Sequence, residues 1–193
     1  MLTIGTHYCL CDHLIPSLLN SNMEIDRIKI SIIYYPSSIS IDLKQQVCKR
    51  IHTMKSGQII TEDGKIKDIL ENAKTIAILG LSPKPERDSN MVARYLKDQG
   101  YKIIPVRPAQ DEILGEKAYA SLDDIKESVD IVDVFRNPAQ IMPHAHEAIR
   151  IKPKVFWMQL KIENQEAAEL LTAAGIDVIM DRCIKVDHGR LCK

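Results

Sequence analysis

The sequence predicts an α/β fold, a doubly wound parallel sheet of five strands with helices on both faces, and three observations carry that reading. Five short apolar runs, at residues 75–80, 101–106, 129–135, 155–159 and 177–180, alternate with polar segments of helical spacing. The runs are near-continuous, as expected of strands buried on both faces of a parallel sheet. The segments between them carry helix start and stop signals. Right-handed crossovers then favour the doubly wound, Rossmann-like arrangement.

The elements follow in order. Residues 61–70 place Ile66, Ile69 and Leu70 at helical spacing and predict a short leading helix. After the first strand, Asp88 or Ser89 serves as N-cap for a helix through Met91, Val92, Tyr95 and Leu96, and Gly100 stops it. Residues 111–115 read as a turn or brief helix. Ser121 and Asp124 form a capping-box pattern that opens another short helix. Asn137 followed by Pro138 is an N-cap with proline at the first helical position. Pro143 then predicts a kink or restart. Residues 163–174 give the last predicted helix, stopped by Gly175.

Residues 54–193 hold all of these elements. Residues 1–53 are rich in isoleucine, serine and cysteine and show no such alternation. They match neither a secretory signal nor a transit peptide, because Asp12, Glu24 and Asp26 are acidic and no basic cluster precedes an apolar stretch. Met54 begins a sequence that looks like a natural start. The expectation is that the native protein begins there and that residues 1–53 are a disordered or mis-assigned addition.

Bulk properties exclude several function classes. The 193 residues carry 26 basic and 26 acidic side chains, so net charge drives neither nucleic-acid nor membrane binding. No apolar run reaches the ~20 residues of a membrane helix. Five cysteines, three of them in the first quarter, make no disulfide framework and point to a reducing cytoplasm. His7, Cys9, Cys11 and His13 match no zinc-knuckle spacing, and His144 and His146 lack a third ligand, so no metal site is expected. A homo-oligomer stays open.

The loop from Gly80 to Asn90 carries the chemistry. A glycine at a strand end followed by a helix N-terminus gathers backbone N–H groups where a phosphate can sit. Ser82 stands where the dinucleotide fingerprint has its second glycine, and the loop adds Ser82, Lys84, Arg87 and Ser89 as donors. At the second strand end, Pro105, Val106 and Arg107 include no acid to hold a ribose 2′-hydroxyl. Arginine there suits a ribose phosphate, either the 2′-phosphate of NADP or the 3′-phosphate of coenzyme A. Arg87 and Arg136 are the foremost anion contacts. Tyr119 pairs with no lysine motif, so no acid–base group for hydride transfer stands out.

Six stretches together resemble the stand-alone CoA-binding domain family, related to the N-terminal domain of the succinyl-CoA synthetase α subunit. They are residues 80–90, 101–106, 112–115, 129–136, 157–160 and 180–183, in the family's order. The resemblance covers residues 74 to about 192. It implies a pyrophosphate cradle from Gly80, Leu81, Ser82, Lys84, Arg87, Ser89 and Asn90. It implies an adenine and ribose shelf at Pro105 and Val106, and a pantetheine wall from Val134, Phe135 and Arg136. Arg107 departs from the asparagine usual in the family. The function implied is binding of coenzyme A or an acyl-CoA without catalysis. The alternatives are an NADP-linked oxidoreductase or redox sensor, and an interaction module that responds to coenzyme A. Cys183, beside Arg182, is a candidate redox thiol for a mixed disulfide with coenzyme A, against the alternative of an inert packed cysteine.

Overall fold

The structure is a computed structural model and describes residues 56–192, so the extension expected over residues 1–53 lies outside the described residues. Its elements are α1 (Asp63–Asn72), β1 (Thr75–Leu79), α2 (Asp88–Asp98), β2 (Lys102–Val106), β3 (Glu112–Ile113), β4 (Glu116–Lys117), β5 (Ile131–Val134), α3 (Ile141–Ile151), β6 (Val155–Met158), α4 (Gln165–Ala173), β7 (Asp177–Ile179) and α5 (Ile184–Leu191). Single 3-10 turns lie at Leu122–Asp124 and Pro138–Gln140.

Five strands form one parallel sheet in the order β2-β1-β5-β6-β7. The order reverses between β1 and β5, which is where sheets of this class open a crevice beyond their carboxyl ends. β2 lies at the edge, the one place where Pro105 costs no internal ladder bond. β1 shows why both faces are covered. Ile76 and Ile78 enter a core with Ile66 and Leu70 of α1, Leu96 of α2 and Ile184 of α5. Ala77 and Leu79 enter a second core with Ala145 and Ala148 of α3 and Ala167 and Leu171 of α4. The alanines let α3 and α4 approach the sheet closely. Each large aliphatic side chain buried this way contributes about 1.5–3 kcal/mol.

The predicted strands and helices are present with shifted ends, except that the short helix expected after Ser121 is a single 3-10 turn. The capping pattern at Ser121 closes as expected, since its N–H donates to Asp124 Oδ2 at 3.0 Å. Asn137 Oδ1 accepts from Ala139 N–H at 3.0 Å. Pro143 follows a restart, from the 3-10 turn at Pro138–Gln140 to α3 at Ile141. It falls in the first turn of α3, where its missing N–H has no partner to lose.

Three features differ from the sequence reading. Residues 111–115 are neither a turn alone nor a helix but half of a hairpin, β3 with β4, closed at Leu114 and Gly115. α5 was not predicted. Ile59 bridges Val178 in parallel, so the chain before α1 lies along the outer edge of β7.

Candidate functional site

The five strand ends meet at one rim, and Gly80 sits at its centre. Its φ of +87° is disfavoured for any side chain, and a Cβ there would lie 2.4 Å from Phe135 O. Gly80 N–H donates to Val106 O at 2.9 Å and Phe135 N–H to Leu79 O at 2.9 Å. The absent side chain is what lets the ends of β1, β2 and β5 close on one another. Leu81 follows, fully buried in the α2 side of the core.

The loop is braced by its own polar groups. Ser82 N–H donates to Ser89 Oγ at 3.1 Å, and Lys84 N–H donates to Ser82 Oγ at 3.2 Å. Asn90 Nδ2 donates to Ser82 O at 2.8 Å. Both serine hydroxyls thus accept from the loop or its helix and keep a proton to donate outward. Arg87 takes the N-cap position of α2 without a side-chain cap bond, so the helix N-terminus is left to other partners. Lys84 and Arg87 are exposed, and so is Asp88, an acid in that first turn.

The other strand ends are placed as follows. Pro105, Val106 and Val134 are buried and present only backbone to the rim, because their side chains alternate into the core. Arg107 is half-buried and turns back to the loop, its Nη1 donating to Leu81 O at 3.3 Å. Phe135 and Arg136 are half-buried. A Cβ on Gly80 would lie 3.4 Å from Arg136 Nε, so that guanidinium stands against the centre of the rim.

Buried polar atoms without a partner concentrate here. Among the described residues there are four, and three of them are Asn90 Oδ1, Asp133 Oδ2 and Arg136 Nε. The fourth, His144 Nδ1, lies 3.4 Å from Glu147 Oε1 on α3. Such groups are rare in folded proteins and mark either strain or a missing ligand. Asp133 and Gln159 were not singled out from the sequence. Asp133 is fully buried on β5 and accepts from Gln159 Nε2 at 2.8 Å. Burial pushes its carboxyl up to about 7, against the downward pull of the Gln159 and Val134 N–H groups. An acid inside an otherwise apolar strand was the signal that could have found it.

Cys183 stands at the N-cap of α5, half-buried against the α2 side of the core. The neighbouring guanidinium is committed elsewhere. Arg182 bonds Asp187 through Nε at 2.8 Å and Asp63 through Nη2 at 2.8 Å. Arg190 joins the same two acids, and Arg190 and Arg182 together hold Asp63 far below the usual carboxylate range. No group of metal ligands occurs among the described residues, and none of their helices is long and apolar enough to cross a membrane. Two hollows, of about 400 and 560 Å³, lie at the opposite rim, lined by Asp130, Lys154 and Asp177 and by Lys74, Tyr101 and Cys192 respectively.

Comparison with known proteins adds four relationships. Residues 74–189 match the family model described as CoA binding domain. The chain is 48% identical over 125 residues to the Bacillus subtilis protein YneT, covering 65% of this chain and 93% of that one. A solved structure from Thermus thermophilus superposes with a TM-score of 0.66 at 45% identity, over 68% of this chain and 99% of that one. The chain is also 33% identical over 100 residues to the alpha subunit of ADP-forming acetate–CoA ligase II of Pyrococcus furiosus, covering 51% of this chain but only 18% of the ligase subunit.

Proposed function

The chain belongs to the CoA binding domain family, and from that membership we propose that it binds coenzyme A or an acyl-CoA at the carboxyl rim of its sheet, as a binding module rather than a catalyst. The pyrophosphate lies on the loop from Gly80 to Asn90, within reach of the Ser82 and Ser89 hydroxyls and the Arg87 guanidinium. The ribose end lies toward Arg107, and the pantetheine arm passes Phe135 and Arg136. The observation that carries this reading is Arg136 Nε, a buried donor with no partner among the described residues, set against the glycine at the centre of the rim. A buried donor of that kind is stabilised by an anionic acceptor.

Calorimetric titration with CoA, 3′-dephospho-CoA and NADP tests it. CoA is expected to bind most tightly. Losing the 3′-phosphate should cost roughly tenfold, the size of one charged hydrogen bond, and Arg107→Asn should lose part of that preference. Tight NADP binding with none for CoA reverses the assignment. Equal affinity for CoA and its 3′-dephospho form removes Arg107 from the site.

A further inference from the structure

Asn90 and Asp133 lie on one face of the sheet. Val132 and Val134 belong to the core under α3 and α4, so alternation along β5 sends the Asp133 side chain to the other face. Asn90 is in the first turn of α2, whose Val92 and Ala93 pack on that same face, and β1 runs directly beside β5. The Asn90 amide has one orientation that fits. Its Nδ2 donates to Ser82 O, and a flipped amide would set oxygen against oxygen. Oδ1 is therefore a fixed acceptor, buried and unpartnered. Asp133 Oδ2 is equally buried and unpartnered. Ionised, Asp133 would add a second acceptor and an uncompensated charge to the interior, which is very costly. As the neutral acid it becomes a donor, the complement of Asn90 Oδ1.

We propose that Asp133 is held as the neutral acid and donates from Oδ2 to Asn90 Oδ1, so that one buried proton positions the phosphate-cradling loop and sets its affinity for ligand. The bonds then run in a chain from Gln159 Nε2 to Asp133, to Asn90, and to the Ser82 carbonyl inside the loop. Asp133 is a positioning residue. Loss of its proton turns a donor into an acceptor, Asn90 must turn away, and Ser82 O loses its partner. Burial places the titration of Asp133 at about 7, so the proton leaves within the ordinary working range. Among the described residues no ion pair compensates for it. Arg94 on α2, Asp63 on α1, Asp187 on α5, and Arg136 and Arg182 at the rim give Asp133 neither an ion pair nor a hydrogen bond, while His188 on α5 meets the Tyr95 hydroxyl through Nδ1 at 3.0 Å.

The inference rests on the rim being the coenzyme A cradle, and two measurements on the full chain separate the two claims. The first is infrared difference spectroscopy of the ligand-free protein, comparing wild type with Asp133→Asn at about pH 6. A protonated-carboxyl band present in wild type and absent from the variant is expected, and its absence in wild type overturns the inference whatever coenzyme A does. The second is calorimetric titration with CoA from about pH 5.5 to 8.5. Wild-type affinity should fall toward tenfold per pH unit above about 7. Asp133→Asn keeps a donor toward Asn90 and an acceptor toward Gln159. It should lack that slope and bind more tightly than wild type at the alkaline end. Equal slopes in the two proteins overturn the proton link, while no CoA binding at any pH overturns the cradle and leaves the infrared result to decide the protonation of Asp133.

Discussion

Two aspartates three residues apart show how differently the two rims of this sheet are built. Asp130, just ahead of β5, accepts from the N–H groups of Lys74 and Thr75 at 2.8 and 3.1 Å and pairs with Lys154 Nζ at 2.7 Å. Asp133, toward the carboxyl end, has a buried oxygen with no partner at all. Two hollows also lie on the Asp130 side. At the amino rim Asp130 and Lys154 have already spent their bonds on one another and on the chain. The carboxyl rim leaves Asn90 Oδ1, Asp133 Oδ2 and Arg136 Nε unspent. Spare bonding capacity is what distinguishes the carboxyl rim from the amino rim.

The sharpest way to break that comparison uses two glycines. Gly80→Ala at the carboxyl rim meets both a positive φ and a backbone oxygen 2.4 Å from the new Cβ. It should cost about 2–5 kcal/mol in urea denaturation, the sum of left-handed strain and overpacking. Gly100→Ala, ahead of β2, shares the positive φ but meets no atom within 4 Å, and should cost only about 1 kcal/mol. Equal losses would mean that the strand ends are not closed around Gly80.

A second pair separates binding from stability. Arg136→Ala should lower CoA affinity by tenfold or more, since a charged hydrogen bond contributes about 1.5–3 kcal/mol, with little loss of thermal stability. Lys154→Ala at the opposite rim should leave affinity alone and shift stability by less than about 1 kcal/mol, as for an exposed ion pair. An affinity loss in the lysine variant would move the ligand to the amino rim.

The smallest effect is a difference of sign with pH. Asp133 is raised from 3.8 to about 7 by burial, so its contribution to stability is complete below about pH 4 and is lost as pH rises to about 7. Asp130 goes the other way. Burial works against it, but the bonds from Lys154, Lys74 and Thr75 hold its carboxyl low, so its contribution is present above about pH 4 and lost on further acidification. Asp130→Asn should therefore melt below wild type above about pH 4, the gap closing on acidification, whereas Asp133→Asn should match wild type near pH 4 and melt above it as pH rises toward 7.

Much of this was legible in the sequence. The five strands could be found because each is apolar on both faces, and the loop after Gly80 could be found because its glycine and polar donors interrupt that pattern. α5 escaped because Ile184–Leu191 contains Gly189 and little helical amphipathy. It is held from outside, by Ile184 in the core and by the ion pairs of Asp63 with Arg182 and Arg190, contacts between residues more than a hundred positions apart. The hairpin of β3 and β4 escaped because each strand is only two residues long. Lys97, donating to Leu114 O and Glu116, ties it to α2. Arg136 was legible as an anion contact, but its unpartnered nitrogen was not. The acceptors available to it depend on which strands become neighbours.

The indole of Trp157 gives the rim a property of another kind. It is the only tryptophan in the chain, fully buried, opposite Asp133 in the strand register, with its N–H donated to Arg182 O at 2.7 Å. Its fluorescence comes from one site and needs no deconvolution. Charge appearing on the neighbouring carboxyl shifts or quenches that emission, and release of the Arg182 carbonyl lets water reach the indole and moves it to the red. The protein thus carries a native optical indicator beside its own buried proton, readable in real time and without a label.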